Sequence, residues 1–225
     1  MKLVIGNKNY STWSLRPWLL LKYFEVGFDE ENVSLNADGL KDRLLRYSPS
    51  GKVPVLIDDK SVAWDSLAIC EYINERYLDN QGWPKALDAR QYARNIAAEM
   101  HGGFANIRAQ LPMNIRAKRR VALTPNAQSE LLRIEEIFGI GRRPFIDKGP
   151  WLAGEFSIAD CMFAPVCSRL KTYNIELNKE ANQYVNMLLD LPQMRQWMID
   201  ALAETEVIAE DEAGEEWYTA PQPRN

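Results

Sequence analysis

The chain has 225 residues, enough for one or two domains of roughly 80 to 140 residues. Hydrophobic residues make up 46% and charged residues 26%, the balance of a soluble globular protein, and no stretch approaches the ~18 to 20 apolar residues of a membrane span. The net charge of -4 hides an asymmetry: eight of 31 acidic residues but one of 27 basic residues fall between Asp200 and Asn225, leaving a slightly positive body that excludes a broad nucleic-acid surface.

Residues 1–6 are too short an apolar run for a signal peptide, so the cytoplasm is the expected location. Residues 3–5 read as a strand, followed by a helical pattern over 15–24. Residues 32–35 form a second strand pattern and 39–47 a second helix. The runs 55–57 and 61–63, split by Asp58, Asp59 and Lys60, signal a hairpin. A third helix follows over 66–77, with Leu67, Ile69, Cys70, Ile73 and Tyr77 largely on one side. The order β-α-β-α-β-β-α predicts a small α/β layer structure.

The segment Gln81-Gly82-Trp83-Pro84 is punctuation, after which the period becomes helical and stays so. Ala89, Ala93, Ile96, Met100, Phe104, Ile107 and Leu111 mark one face of a long helix. Thr124-Pro125 has the form of an N-cap and a first-turn proline. Ser157 opens another helix, and Leu191-Pro192 divides two more. These patterns predict an α/β domain over 1–80, an all-helical domain over 86–205 and an acidic tail over 206–225, packed back in part by Trp217 and Tyr218.

Three stretches carry chemistry. In NKNYSTWSLRPW (7–18), Tyr10, Ser11, Thr12 and Ser14 stand at the mouth of a helix. The N–H groups and partial positive charge there stabilise an anion; Ser11 or Ser14 either caps the helix or donates a hydrogen bond to a bound thiolate. In SPSGKVPVLIDD (48–59), Pro54 stands where a strand should begin. Its peptide bond with Val53 is either cis, which turns the Val53 backbone outward to pair with a peptide ligand, or trans at the first strand residue. In WDSLAICEYINERY (64–77), Ser66 is a natural N-cap; Asp65 and Ser66 could also hold the ammonium and carboxylate of an amino-acid head group.

Cys70, Cys161 and Cys167 have no CxxC spacing and lie in apolar helical patterns, which suits buried thiols. His101 is the single histidine, so a metal centre is not expected. It either polarises a substrate or is structural. Beside it, Gly102-Gly103 would cost a helix about 2 kcal/mol relative to alanine, which suggests the close approach of a ligand or of a partner's helix. The cluster Arg116, Lys118, Arg119 and Arg120 reads as a solvated helix end.

In combination the three stretches resemble the glutathione transferase family over nearly the whole chain. The matching features are the serine-containing first loop, GKVPVL (51–56), DSLAICEYI (65–73), and PWLAGEFSIAD (150–160) with its capping box of Ser157 and Asp160. The resemblance implies a thioredoxin-like first domain, a helical second domain and a homodimer, with glutathione as co-substrate; charge, hydropathy and the single histidine add the expectation of no metal, no nucleic acid and no membrane partner. It places Ser11 as the thiol-activating residue, Lys52, Val53, Pro54, Asp65 and Ser66 on glutathione, and Tyr10, Trp13, His101 and Arg108 about the electrophile, with Arg116 a further candidate for an acidic substrate. YSTWSLR (10–16) is most similar to the serine-dependent zeta pattern, with Trp13 in place of its cysteine and Asp65 in place of its glutamine. Conjugation of small electrophiles is the expected activity. The alternatives are a zeta-like maleylacetoacetate isomerase, a glutathione-dependent peroxidase and a binding protein without turnover. The lack of cysteine in residues 7–18 argues against thiol-disulfide chemistry.

Overall fold

Strand β1 (Lys2–Gly6) alternates, sending Leu3 and Ile5 to one face of the sheet and Val4 to the other, and both faces are covered. The computed structural model describes residues 1–217. Leu3 and Ile5 pack under α1 (Thr12–Tyr23) and α3 (Ser66–Tyr77), whereas Val4 meets Val33, Leu44 and Val55 beneath α2 (Leu40–Leu45). The sheet order is β2-β1-β3-β4, with β2 (Asp29–Val33) parallel to β1, and β3 (Val55–Asp58) and β4 (Ser61–Trp64) forming an antiparallel hairpin. Asp59 takes the left-handed turn conformation at φ 50°. The expected βαβαββα order is present. β2 starts three residues before the expected 32–35, because this exposed acidic edge strand is positioned by ladder pairing, such as Leu3 with Glu30, and not by an apolar pattern of its own.

The helical half comprises α4 (Leu87–Gly102), α5 (Ala105–Gln110), α6 (Pro125–Phe138), α7 (Ile158–Thr172), α8 (Lys179–Leu189) and α9 (Pro192–Ala203). A 3-10 segment, Ile140–Lys148, joins α6 to α7. The long helix expected to run to Leu111 is broken in two. Gly103 is extended and Phe104 takes φ 56°, so the chain turns between α4 and α5. A Cβ on Gly103 would lie 2.7 Å from the Glu99 carbonyl, while one on Gly102 would meet nothing within 4 Å. The glycine pair thus ends a helix; within this chain neither a ligand nor a second helix is needed to explain it.

Helix α7 is buried along nearly its whole length and packs against α1, α4 and α8. It starts with the expected capping box of Ser157 and Asp160. Asp160 accepts further hydrogen bonds from the Leu152 N–H at 3.1 Å and the Tyr184 hydroxyl at 3.0 Å. One apolar core runs unbroken from Leu3 through α1 and α7 to Trp197, so the sheet layer and the helices share an interior. The ring of Tyr23 at the end of α1 stacks on Phe156, with centroids 3.6 Å apart.

The acidic segment after α9 does not hang free: up to Trp217 it is a strap laid across the loop that precedes α1. The Glu204 carboxylate accepts from the backbone N–H groups of Lys8 at 2.6 Å and Asn9 at 3.0 Å. Glu206 accepts from Asn7 and from Ser34, each at 2.5 Å. Glu212 accepts from the Tyr10 hydroxyl at 2.6 Å and from Asn114 at 2.8 Å, and pairs with Arg119. The Arg116 guanidinium binds the carbonyls of Glu204 and Glu206. Arg119 and Arg120 form a two-residue strand, β5 (Arg119–Arg120), paired with β6 (Glu215–Glu216). The basic cluster is therefore matched to the acidic tail and is not the solvated helix end its composition suggested. Trp217 donates its N–H to the Lys118 carbonyl, and Tyr218 lies outside the described residues. Hydrogen bonds from Ser34 and Asn7 hold the Glu206 carboxyl below its ordinary range. Burial alone would raise that of Glu212, but Tyr10, Asn114 and Arg119 together bring it below as well.

Two outcomes follow from these contacts. Asp160→Ala orphans the Leu152 and Ser157 N–H groups inside the protein, and urea denaturation should show a loss of about 3 kcal/mol. Burial pushes the Asp160 carboxyl from 3.8 up to about 6. A raised value means that its contribution is full below 3.8 and declines as pH rises through about 6, so the stability margin over Asp160→Asn should narrow across that interval. At the strap, Glu204→Ala removes the acceptor of the Lys8 and Asn9 amides, whose hydrogen exchange should accelerate about 10- to 100-fold while amides within α7 stay protected.

Candidate active site

Ser11 occupies the N-cap position of α1, yet its side chain caps nothing. Its hydroxyl donates to the Ser14 Oγ at 2.7 Å, and Ser14 Oγ also accepts the Gly6 N–H at 3.1 Å. The first-turn N–H groups of α1 are thus free of side-chain caps, and the helix has no acidic residue in its first turn to offset its positive end. Ser11 and Thr12 line a cavity of about 430 Å³ together with Tyr10, Trp13, Lys52 and Val53.

The Val53–Pro54 peptide bond is cis. Sheet pairing begins only at Val55, opposite Val4 and Trp64, so Val53 is outside the ladder. A second cavity of about 480 Å³ is lined by Val53, Pro54, Trp64, Asp65 and Ser66, and it shares Trp13, Lys52 and Val53 with the first. Asp65, not Ser66, is the N-cap of α3: at φ 70° its Oδ1 accepts the Leu67 N–H at 2.9 Å, and Ser66 is the first helical residue. The unusual backbone angle is what turns the Asp65 carboxylate back over the helix end. Its Oδ2 lies 3.3 Å from His101 Nε2.

His101 and Arg108 come from the break between α4 and α5. His101 lines neither cavity; it stands behind Asp65 and meets the Trp13 ring edge-on, centroids 5.5 Å apart. Arg108 lines the first cavity and spends terminal N–H groups on the carbonyls of Met100, His101 and Gly103, closing the end of α4. Its guanidinium lies 5.0 Å from the Trp13 ring centroid, and that of Arg16 lies 4.1 Å away. Tyr10 lines the first cavity with its hydroxyl held by Glu212 and Arg116. Arg116 itself faces a third cavity of about 350 Å³ with Lys118 and Trp217, away from Ser11.

Sequence reasoning missed Arg16, Arg169, Asp211, Pro112 and Met113. Arg16 is 1% exposed in α1 and points toward Ser66, whose Oγ is 3.4 Å away. Burial, with Arg108 and Arg169 nearby, pushes its guanidinium down to about 9. Arg169, Asp211, Pro112 and Met113 all line the Ser11 cavity. Arg169 had a signal in the sequence, a lone arginine inside the apolar run CMFAPVCSRL (161–170); Asp211 had none, because the strap that delivers it has no helical or strand period. The three thiols are free, and burial pushes each of them up, so none supplies a nucleophile here. Among the described residues no group of three or more His, Cys, Asp or Glu side chains could hold a metal ion, and no helix is long and apolar enough to cross a membrane.

Comparison with known proteins agrees with this fold. Residues 10–76 match the glutathione S-transferase N-terminal domain family. A probable maleylacetoacetate isomerase from Caenorhabditis elegans is 24% identical over 184 residues, covering 80% of this chain and 85% of its own. The solved structure of a Burkholderia glutathione transferase homolog with bound glutathione superposes with a TM-score of 0.66 at 22% identity, covering 89% of this chain and 96% of that one. A bacterial maleyl pyruvate isomerase of the zeta class gives a TM-score of 0.68 at 19% identity, over 92% of this chain and 100% of that one. Residues 10–76 thus match the N-terminal domain of the glutathione S-transferase family, and the fold of solved glutathione transferases extends over about nine-tenths of the chain.

Proposed function

We propose that the chain is a glutathione transferase that adds the glutathione sulfur to small electrophiles, with Ser11 as the thiol-activating donor. One observation carries this reading: an N-cap serine whose hydroxyl is not used as a cap stands beside an uncapped helix end, in a cavity that continues past Val53 to Asp65 and Ser66. In this reading Asp65 and Ser66 hold the γ-glutamyl head, the Val53 backbone pairs with the cysteinyl residue and Lys52 takes the glycine carboxylate. Residues 1–80 then bind glutathione, residues 86–205 form the electrophile side, and the segment from 206 holds the Ser11 loop.

The energetics are sufficient. A free thiol with a pKa near 8.5 is only a few per cent thiolate at pH 7. Lowering it by about two units needs ~2.7 kcal/mol of preferential stabilisation of the anion. A hydroxyl donor to a charged acceptor supplies ~1.5 to 3 kcal/mol and a helix end ~0.3 to 1. Ser11 keeps its own proton throughout. Its hydroxyl, which donates to Ser14 in this structure, turns to the sulfur, and the Ser14 hydroxyl donates to Ser11 in its place, while Ser14 Oγ still accepts the Gly6 N–H. Bound glutathione supplies the nucleophilic sulfur.

We also propose a cytoplasmic homodimer. Three buried free thiols suit a reducing compartment, and the exposed Val62 and Trp64 of edge strand β4 offer apolar surface for a second copy. The second reading is a zeta-like isomerase, favoured by the maleylacetoacetate isomerase relative from Caenorhabditis elegans and the zeta-class structure, and opposed by Trp13 where that class has cysteine. Turnover of maleylacetone without conjugation of a chloronitroarene would favour it.

The deciding experiment titrates the thiolate absorbance of bound glutathione in wild type and Ser11→Ala. The wild-type pKa should lie about two units below that of the free thiol, and Ser11→Ala should abolish most of that shift with a fall of about 10- to 100-fold in kcat/KM. Binding with an unshifted pKa would instead mean a binding protein without turnover.

A further inference from the structure

Three guanidiniums gather at the inner wall of the Ser11 cavity and around Trp13, and the described residues leave them short of negative charge. Arg16 and Arg169 are 1% and 4% exposed, and Arg108 is half-buried. Among the described residues no carboxylate lies within 4.0 Å of any of the three, although burying cations without paired anions is costly. The Nε atoms of Arg16 and Arg108 are buried without a hydrogen-bond partner. Burial and mutual repulsion push Arg16 down to about 9 and Arg169 down to about 10.

The three differ in what they can still do. Arg16 turns toward Ser66, and Arg108 is occupied by the carbonyls at the end of α4. Arg169 makes a single hydrogen bond to the described residues, from Nε to the Leu111 carbonyl at 2.6 Å, so its terminal amino groups remain for a ligand. It lines the cavity of Ser11 together with Pro112 and Met113 of the helical half, and it is absent from the wall of the cavity of Asp65 and Ser66, where the γ-glutamyl head is placed. Among the described residues the one carboxylate on that wall is that of Asp211 in the strap, which forms no ion pair with Arg169. Burial raises the Asp211 carboxyl, and Arg169 acts against that rise.

We propose that Arg169 holds an anionic group of the second substrate, so that the preferred electrophiles are small carboxylate-bearing molecules whose apolar body lies against Trp13, Pro112 and Met113. The planar guanidinium fork matches a carboxylate in two parallel hydrogen bonds. This inference rests on the glutathione transferase reading. For a chloronitrobenzoate the glutathione sulfur bonds to the ring carbon bearing chlorine, the C–Cl bond breaks with chloride leaving on its bonding pair, and the thiol proton passes to solvent. Nothing is oxidised or reduced.

The test compares kcat/KM for 4-chloro-3-nitrobenzoate and for its neutral methyl ester, each divided by its uncatalysed rate with glutathione. Wild type should favour the acid. Arg169→Gln should lower the acid-to-ester ratio about 10- to 100-fold, as expected for loss of a charge-assisted pair, and Asp211→Asn should raise it. Ester turnover with a ratio unmoved by either substitution overturns the anion subsite and leaves the transferase reading intact. Absence of turnover of both substrates overturns the transferase reading and the subsite with it. Should Arg169→Gln not fold, inhibition of wild-type ester turnover decides: benzoate binding better than benzamide supports the subsite, and equal binding overturns it.

Discussion

The arrangement depends on how the backbone of residues 7–10 finds its hydrogen-bond partners. This loop leaves β1 and enters α1 with neither ladder nor helix to satisfy it, and Lys8, Asn9 and Tyr10 are nevertheless buried. A buried N–H without an acceptor costs about 1 to 3 kcal/mol, and within the loop only the Asn7 carbonyl serves, for the amides of Tyr10 and Ser11. Partners for Lys8 and Asn9 come from almost two hundred residues away: the Glu204 carboxylate accepts both amides, and the indole of Trp197 in α9 donates to the Lys8 carbonyl at 2.9 Å. Lys8 Nζ sits between Glu30 and Asp200, each at 2.7 Å, and over the rings of Trp18 and Trp197. Asn9 closes the circle through Asn114 and the Arg116 N–H. The position of Ser11 is thereby set by the far end of the chain, and an acidic tail acts as the clamp on a loop whose Lys8 and Asn9 amides find no acceptor within the loop itself.

Trp13 has a comparable role for the two cavities. It lines both, sits within cation–π range of Arg16 and Arg108, and receives His101 edge-on. A cysteine at this position, as in the zeta pattern, could not fill that volume or accept two guanidiniums on a π face. Trp13 therefore shapes the boundary between the two cavities without touching the hydroxyl pair of Ser11 and Ser14. It also gives His101 its place: with Nε2 toward Asp65 and its ring on Trp13, the histidine braces the carboxylate that caps α3.

Local chemistry was legible in the sequence, and long-range satisfaction was not. The strand and helix order of the first half, the Thr124 cap with Pro125, and the Ser157–Asp160 box all follow from residues within a few positions of one another. Ser11 and Asp65 could be singled out because they stand where helices open, and Val53 because the proline after it stands where a strand should begin. The resemblance to one family then joined them. The end of α4 was misread because periodicity continues through Phe104 and Ile107 on the same face, although Gly103 and Phe104 have left the helix. The cap of α3 was assigned one residue late, since serine and aspartate are equally good caps and only the φ of Asp65 separates them. That the tail packs back in part could be read from Trp217, but the course of the strap could not: its order comes from carboxylates meeting donors in the first loop and near Asn114, and no local pattern announces such partners.

Helix α7 shows how the same burial leads to opposite uses. Asp160 in its first turn and Arg169 near its end both lie in the protein interior, at the helix ends where their charges oppose the local dipole least. Asp160 is surrounded by donors from Leu152, Ser157 and Tyr184, so its charge is matched within the chain and its effect is structural. Arg169 has one carbonyl, the cations Arg16 and Arg108, an unpaired Asp211 across the wall and a cavity. A folded chain keeps a buried polar group matched unless something outside the chain completes it. Along one helix, then, the number of partners distinguishes the residue that holds the fold from the residue left open for a ligand.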